Sequence, residues 1–191
     1  KSNQVWSSSR LDPVKNFYCL IRAIARLNRS SSKIKYYLTI VGDGSEKENL
    51  TNLVQSLGIS DYVDLPGATE NAEDWYGEFD IYVNSSVSEG MSNTVLESMA
   101  CGLPVVVSDV GGHRDWLTQD IHALFFTYDD EEALAKSIKD LSANSELRAA
   151  LSTTNRTYIE ESFSQTQFIK DYQNLYRELM KTKGYDFSFK D

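Results

Sequence analysis

Short, almost wholly apolar runs, separated by stretches with helical spacing, constrain the fold of this chain more than any other feature. Tyr36 to Val41, Asp80-Ile81-Tyr82-Val83 and Pro104-Val-Val-Val107 are strand-length and rich in β-branched and aromatic residues. A strand that is apolar at successive positions has both faces covered, as in a parallel sheet with helices above and below it. Val14, Phe17, Ile21, Ile24 and Leu27 recur at helical spacing behind Pro13, and Leu134, Ile138 and Leu141 line one face of a later helix. Strand and helix signals alternate from end to end. They predict an α/β, Rossmann-like domain over residues 1–183, a parallel sheet with helices on both faces.

The remaining elements follow from local signals. Val5-Trp6-Ser7 reads as a short first strand. Gly42-Asp43-Gly44 turns sharply, Ser45 with Glu48 forms a capping box for the next helix, and Gly58 marks that helix's end. Tyr62 to Leu65 is a third strand before Pro66-Gly67, and a short helix is expected around Asn71 to Tyr76. Beyond Val107 a loop runs to Gly112, a short helix lies near Arg114 to Leu117, and Ala123 to Phe126 is a strand. Asp129-Asp130 opens a helix, where acids favour the dipole. Phe168, Tyr172, Leu175 and Leu179 line a face of the last helix, and Gly184 onward reads as a frayed tail. In a parallel sheet, Arg10, Gly42, Gly67, Glu89 and Asp109 all follow strands and gather along the carboxyl edge, where open α/β sheets bind ligands.

Composition narrows the partners. The 191 residues carry a formal net charge of −9, which argues against nucleic acid and against docking on an anionic membrane. A diphosphate site must then be positive only locally. Cys19 and Cys101 both fall in apparent helices among apolar neighbours, and they read as two buried reduced thiols. A reducing cytoplasm fits that pair, with peripheral membrane association open to the complete protein. No 18-residue apolar run predicts a membrane span. The first residue is Lys rather than Met, so a piece of a longer protein is expected.

The block that carries chemistry is EGMSNTVLE, with Glu89 and Glu97 seven residues apart between two buried strands. Gly90, Met91, Ser92 and Asn93 lead into the helix bearing Thr94 and Glu97, and offer unpaired amides and cap residues on which an anion can rest. An ionised carboxylate only accepts hydrogen bonds, so the two acids call for hydroxyls, such as those of a sugar and a ribose. Two solvated Glu residues at an accidental interval are the bland alternative. Arg10 and Lys15, around a tight turn after the first strand, can converge on one diphosphate, Arg as a fork and Lys as a point charge. His113 on its Gly-rich loop reads as a polar loop residue rather than an acid or base, and His122 more so. No His, Cys and acid cluster has zinc spacing, so neither a metal nor a cofactor is expected.

The stretch EGMSNTVLESMACGLPVVVSDVGG resembles the retaining glycosyltransferases of family four, in the two-Rossmann-domain (GT-B) superfamily. Ser9-Arg10-Leu11-Asp12-Pro13-Val14-Lys15-Asn16 looks like that family's turn after the first strand of its second domain, with Ser9 where the family usually has Gly. Gly42-Asp43-Gly44 and Leu65-Pro66-Gly67 look like its nucleotide-side loops. The final helix is similar to a closing segment that often braces the first domain, and that acceptor-binding domain is missing from this chain. The resemblance implies a UDP- or GDP-linked sugar as substrate, Arg10 and Lys15 on its diphosphate, Glu89 beside the sugar and Glu97 on the ribose. A nucleotide-sugar epimerase and a non-catalytic nucleotide-sugar-binding module of the same fold are the alternatives. Base, sugar and acceptor are not readable.

Overall fold

The computed structural model describes residues 3–30, 33–69 and 75–183. Strands β1 (Asn3–Ser8), β2 (Tyr36–Val41), β3 (Val63–Gly67), β4 (Ile81–Asn84), β5 (Val105–Ser108) and β6 (Ala123–Phe126) form one sheet in the order β3-β2-β1-β4-β5-β6. Every pairing is parallel. Strand periodicity sorts the side chains into two layers. Val5, Ile40, Val83 and Val106 face a core built with α1 (Phe17–Ser30), α2 (Lys47–Ser56) and α5 (Glu131–Ala143), while Trp6, Tyr82, Val105 and Val107 face a second core with α3 (Asn93–Ala100) and α6 (Ser145–Ser162). Leu134, Ile138 and Leu141 are all buried, as their spacing predicts, and each such side chain contributes roughly 1.5–3 kcal/mol of transfer free energy.

Several local expectations are corrected. The helix behind Pro13 is split. Pro13–Lys15 makes a 3-10 turn, Asn16 takes a left-handed conformation at φ 49°, and α1 starts at Phe17. Asn tolerates that backbone, and Asn16 Nδ2 donates to Asp129 Oδ1 at 2.7 Å. The capping box does not form. Ser45 lies in the turn before α2, and Glu46 occupies the cap position without a side-chain cap bond, its carboxylate accepting instead from the Tyr18 hydroxyl at 2.6 Å. Helix α4 spans Gly111–Arg114, earlier than Arg114 to Leu117, because the Val110 carbonyl already accepts from the His113 and Arg114 amides. Cys19 is buried but Cys101 is exposed at the end of α3.

Gly58 ends α2 at φ 66° and β6 falls where its apolar run places it. Of the short helix expected over Asn71 to Tyr76, residues 71–74 lie outside the described residues, and Tyr76–Glu78 is a 3-10 turn. The tail from Gly184 also lies outside them. Helix α7 (Gln165–Thr182) carries its apolar stripe, but that stripe is exposed, with Phe168 58%, Leu175 50% and Tyr176 54% accessible. Among the described residues no helix is long and apolar enough to cross a membrane.

Candidate functional site at the carboxyl edge of the sheet

In this strand order the chain reverses direction across the sheet between β1 and β4. Connections leave β1 toward one edge and β4 toward the other, which opens a crevice at the carboxyl ends of these two strands. The loop after β1 carries Arg10 and Lys15, and the loop after β4 carries Glu89. Their backbones are tied together. The Val87 amide donates to the Val14 carbonyl at 2.9 Å, and the Ser85 hydroxyl donates to the Lys15 carbonyl at 2.8 Å.

At this crevice Lys15 Nζ lies 2.7 Å from Glu89 Oε1, both side chains largely buried at 19% and 11% exposure. The Ser86 hydroxyl donates to the same oxygen at 2.7 Å and Asn84 Nδ2 does so at 3.2 Å. Burial would raise the Glu89 pKa, but the hydrogen bonds from Lys15, Ser86 and Asn84 outweigh it and hold the carboxyl below its ordinary range. Glu89 is therefore an anion at neutral pH. Three donors converge on Oε1, and no described residue bonds Oε2.

Arg10 is not brought to this pair. It is 82% exposed and lies 3.3 Å from Asp12. The turn that bears it is zipped to the loop after β2. Ser9 N donates to Val41 O at 3.0 Å, Leu11 N to Asp43 O at 2.9 Å, and Glu46 N to Leu11 O at 2.9 Å. Gly42 and Gly44 make that closeness feasible. A Cβ on Gly42 would overlap the Ser9 carbonyl, and one on Gly44 would stand 2.6 Å from the Leu11 carbonyl oxygen. Close approach at Ser9 is thus supplied by Gly42 opposite it. Gly67, at φ 98°, accepts from the Gly42 amide at 2.8 Å, so the two glycine loops form one ledge beside Arg10.

Helix α3 presents its first turns at the same edge. Ser92 occupies the cap position without a side-chain cap bond, because its hydroxyl is engaged by Asn84 Nδ2 and Thr94 Oγ1, each at 3.2 Å. Gly90, Met91 and Asn93 are exposed, Met91 at 54%. Thr94 and Glu97 stand on one face, one turn apart. Thr94 Oγ1 meets the Tyr82 hydroxyl and Glu97 Oε2 accepts from the Tyr76 hydroxyl, both at 2.6 Å. Asp109 follows β5 as expected, but its two carboxylate oxygens take the Arg114 guanidinium at 2.5 and 2.7 Å, which lowers its pKa.

His113 departs from its reading as a loop residue. It is fully buried on α4, and Nδ1 lies 2.8 Å from the Ser108 carbonyl. A carbonyl only accepts, so Nδ1 carries the proton and Nε2 the lone pair. Nε2 is buried and has no partner among the described residues. Burial lowers the pKa of His113, against the opposing pull of the Ser108 carbonyl and the Glu89 charge. Gly112 sits hard against the Glu89-Gly90 backbone, where a Cβ would overlap the Glu89 carbonyl. Asn84, Ser86, Ser108 and Gly112 were not singled out from sequence. Ser108 and Gly112 fall within the stretch that carries the family resemblance, while Asn84 and Ser86 are marked only by their place at a strand end. Among the described residues no group of His, Cys, Asp and Glu side chains is arranged to hold a metal.

Residues 1–158 match the family model described as Glycosyl transferases group 1. The chain belongs to this family. Among curated group 1 relatives, the lipopolysaccharide core biosynthesis glycosyltransferase LpsE of Rhizobium meliloti is 31% identical over 171 residues, 90% of this chain and 48% of its own length. An N-acetylgalactosaminyltransferase of Campylobacter jejuni, acting on a diphospho-undecaprenol-linked sugar by its name, is 31% identical over 90% of this chain and 46% of its own. The chain thus spans about half the length of the curated relatives it matches. Sucrose-phosphate synthase from Thermosynechococcus elongatus superposes with a TM-score of 0.84 at 25% identity, over 94% of this chain and 46% of that one. HepE of Anabaena in complex with UDP superposes at 0.83 and 21% identity, over 94% and 49%, a likeness of fold. The parallel six-stranded sheet with helices on both faces is the arrangement of these GT-B glycosyltransferase neighbours.

Proposed function

We propose that this chain is the donor-binding half of a retaining, metal-independent glycosyltransferase that moves a hexose from a UDP- or GDP-linked sugar to a glycan, lipid or other acceptor. The carrying observation is the Lys15–Glu89 pair, 2.7 Å apart at the point where the strand order reverses. A cation for a diphosphate and an anion for a sugar meet where open α/β sheets hold ligands. HepE was solved with UDP-glucose, which supports a nucleotide-sugar donor for this chain.

Each residue then has a role suited to its surroundings. Glu89, kept ionised by its donors, stabilises the positive charge that develops on the sugar as the diphosphate leaves. Lys15 and Arg10 take the negative charge building on the leaving diphosphate. The exposed Arg10–Asp12 pair contributes only about 0–1 kcal/mol, so Arg10 gives up Asp12 at little cost. The ledge of Gly42, Gly44 and Gly67 faces the base, the first-turn amides after Gly90, Met91 and Ser92 orient the phosphates with Asn93 and Thr94, and Glu97 accepts from the ribose. Retention follows from departure and attack on one face, with no second carboxylate bonded beside Glu89 among the described residues as a nucleophile. A cleft of about 520 Å³ beside α1, lined by Arg22, Arg26 and Arg29, lies away from this edge. An open crevice suits a site that a further domain completes.

A thermal-shift panel of nucleoside diphosphates and their sugars on this chain tests the reading. A ligand at 100 times its dissociation constant adds about 2.7 kcal/mol, and UDP- or GDP-sugars should raise the melting temperature where nucleoside monophosphates do not. Stabilisation by none of them overturns it. Incubating the complete protein with donor alone separates the alternatives, since an epimerase isomerises the sugar and a binding module leaves donor intact with or without acceptor.

A further inference from the structure

Tyr76 is buried, its accessibility being 7%, yet its hydroxyl reaches Oε2 of the exposed Glu97 on α3 at 2.6 Å. Its ring is clamped. The Trp6 ring meets it edge-on with centroids 4.4 Å apart, and Trp6 is itself fully buried between Phe79, stacked at 5.3 Å, and Tyr82, edge-on at 5.5 Å. Tyr82 belongs to the same aromatic cluster and also ends in a hydroxyl on α3, at Thr94. Two tyrosines rooted in the second core therefore reach Thr94 and Glu97, the face of α3 at the carboxyl edge of the sheet. Glu97 Oε1 has no partner among the described residues.

We infer that Tyr76 is the positioning residue for Glu97, holding Oε2 from the rigid Trp6 cluster so that Oε1 is presented to the 2′,3′-diol of the donor's ribose. A Glu side chain on a helix surface samples several rotamers, and ordering it on binding weakens the interaction it makes. The phenol limits that disorder beforehand, from a ring packed edge-on against buried Trp6. This inference rests on the reading of Glu97 as the ribose-binding acid.

Calorimetric titration of this chain with UDP, GDP and their 2′,3′-dideoxy counterparts tests both and keeps them apart. With whichever base binds, the ribonucleotide should bind about tenfold tighter than its dideoxy form. In Tyr76→Phe, which keeps the ring and removes the hydroxyl, that ratio should fall about fivefold, entirely through weaker ribonucleotide binding, while dideoxy affinity is unchanged. Tyr76→Leu, a second removal of the hydroxyl with a different shape, should narrow the ratio equally. In a Glu97→Gln background neither change should narrow it further. A wild-type chain that binds ribo and dideoxy forms alike, or binds none of the four, overturns the ribose assignment and this inference with it. A wild-type ratio of tenfold that survives in both Tyr76 variants overturns the inference alone. A fall in both affinities together would mark Tyr76 as merely structural.

Discussion

Glu89 is buried enough that a carboxylate alone there would resist ionisation, yet three donors on Oε1 reverse the balance. Glu89→Gln keeps the shape and removes the charge. In the complete enzyme it should lower turnover by about 10²–10³-fold, the scale of one lost electrostatic contact in a transition state, with donor affinity changed far less. Steady-state kinetics beside equilibrium titration checks this, and unchanged kcat removes Glu89 from the mechanism. His113 sets a second expectation. Its folded pKa is depressed from 6.5 by burial, so the unfolded chain binds the proton more readily. Its contribution to stability is complete above about pH 6.5 and is lost as pH falls through the folded value. Glu89 has the same sign, full above its ordinary 4.5 and lost below it, and His122, also depressed by burial, adds to the upper window. Melting temperature should therefore fall as pH drops from about 6.5, and His113→Gln should flatten that slope in part. An unchanged slope assigns it elsewhere. At this scale Glu89 and Lys15 were legible as candidates because EGMSNTVLE and the turn after β1 are local, whereas Arg10 stays exposed beside Asp12. Asn84, Ser108, His113 and Gly112 were not, since what makes each matter is a partner brought across the sheet edge by folding.

Elements show where local signals mislead. Asp130 and Ser45 both sit before helices and both look like caps. Asp130 Oδ1 accepts from the Glu132 and Ala133 amides at 3.1 and 2.8 Å, whereas Ser45 lies one residue before the cap position, which Glu46 holds with no side-chain cap bond. Asp130→Ala should cost about 1 kcal/mol and Ser45→Ala close to nothing, read as denaturant midpoints at constant slope. Equal costs would mean that α2 is capped by Ser45 after all. The split after Lys15 has a similar origin. Periodicity joined Val14 to Phe17, but Val14 hands its carbonyl to the loop after β4, and Asn16 breaks the helix so that Lys15 can reach Glu89. Where sequence periodicity fails here, a tertiary hydrogen bond has claimed the residue.

Over the whole molecule, strand order does what no single motif does. Six parallel strands place the loops after β1, β2 and β4 on one edge, so residues as distant as Lys15 and Glu89 become neighbours in a chain of net charge −9. The parallel class was legible from the doubly buried strands. The covering of α7 was not. Its spacing of Phe168, Tyr172, Leu175 and Leu179 reports a face suited to burial, but in this chain those side chains stay about half exposed. Stability of the isolated chain should then be nearly indifferent to them. Leu175→Lys with Tyr176→Lys should move its unfolding free energy by no more than about 0.5 kcal/mol, whereas Leu134→Ala, fully buried on α5, should cost about 2–5 kcal/mol. If α7 braces a first domain in the complete protein, as the resemblance implies, the same double lysine change should lower the melting temperature there by several degrees. Differential scanning of both lengths decides the matter. A large loss in the 191-residue chain would show the stripe already packed, and no loss in either would leave the closing helix without a bracing role.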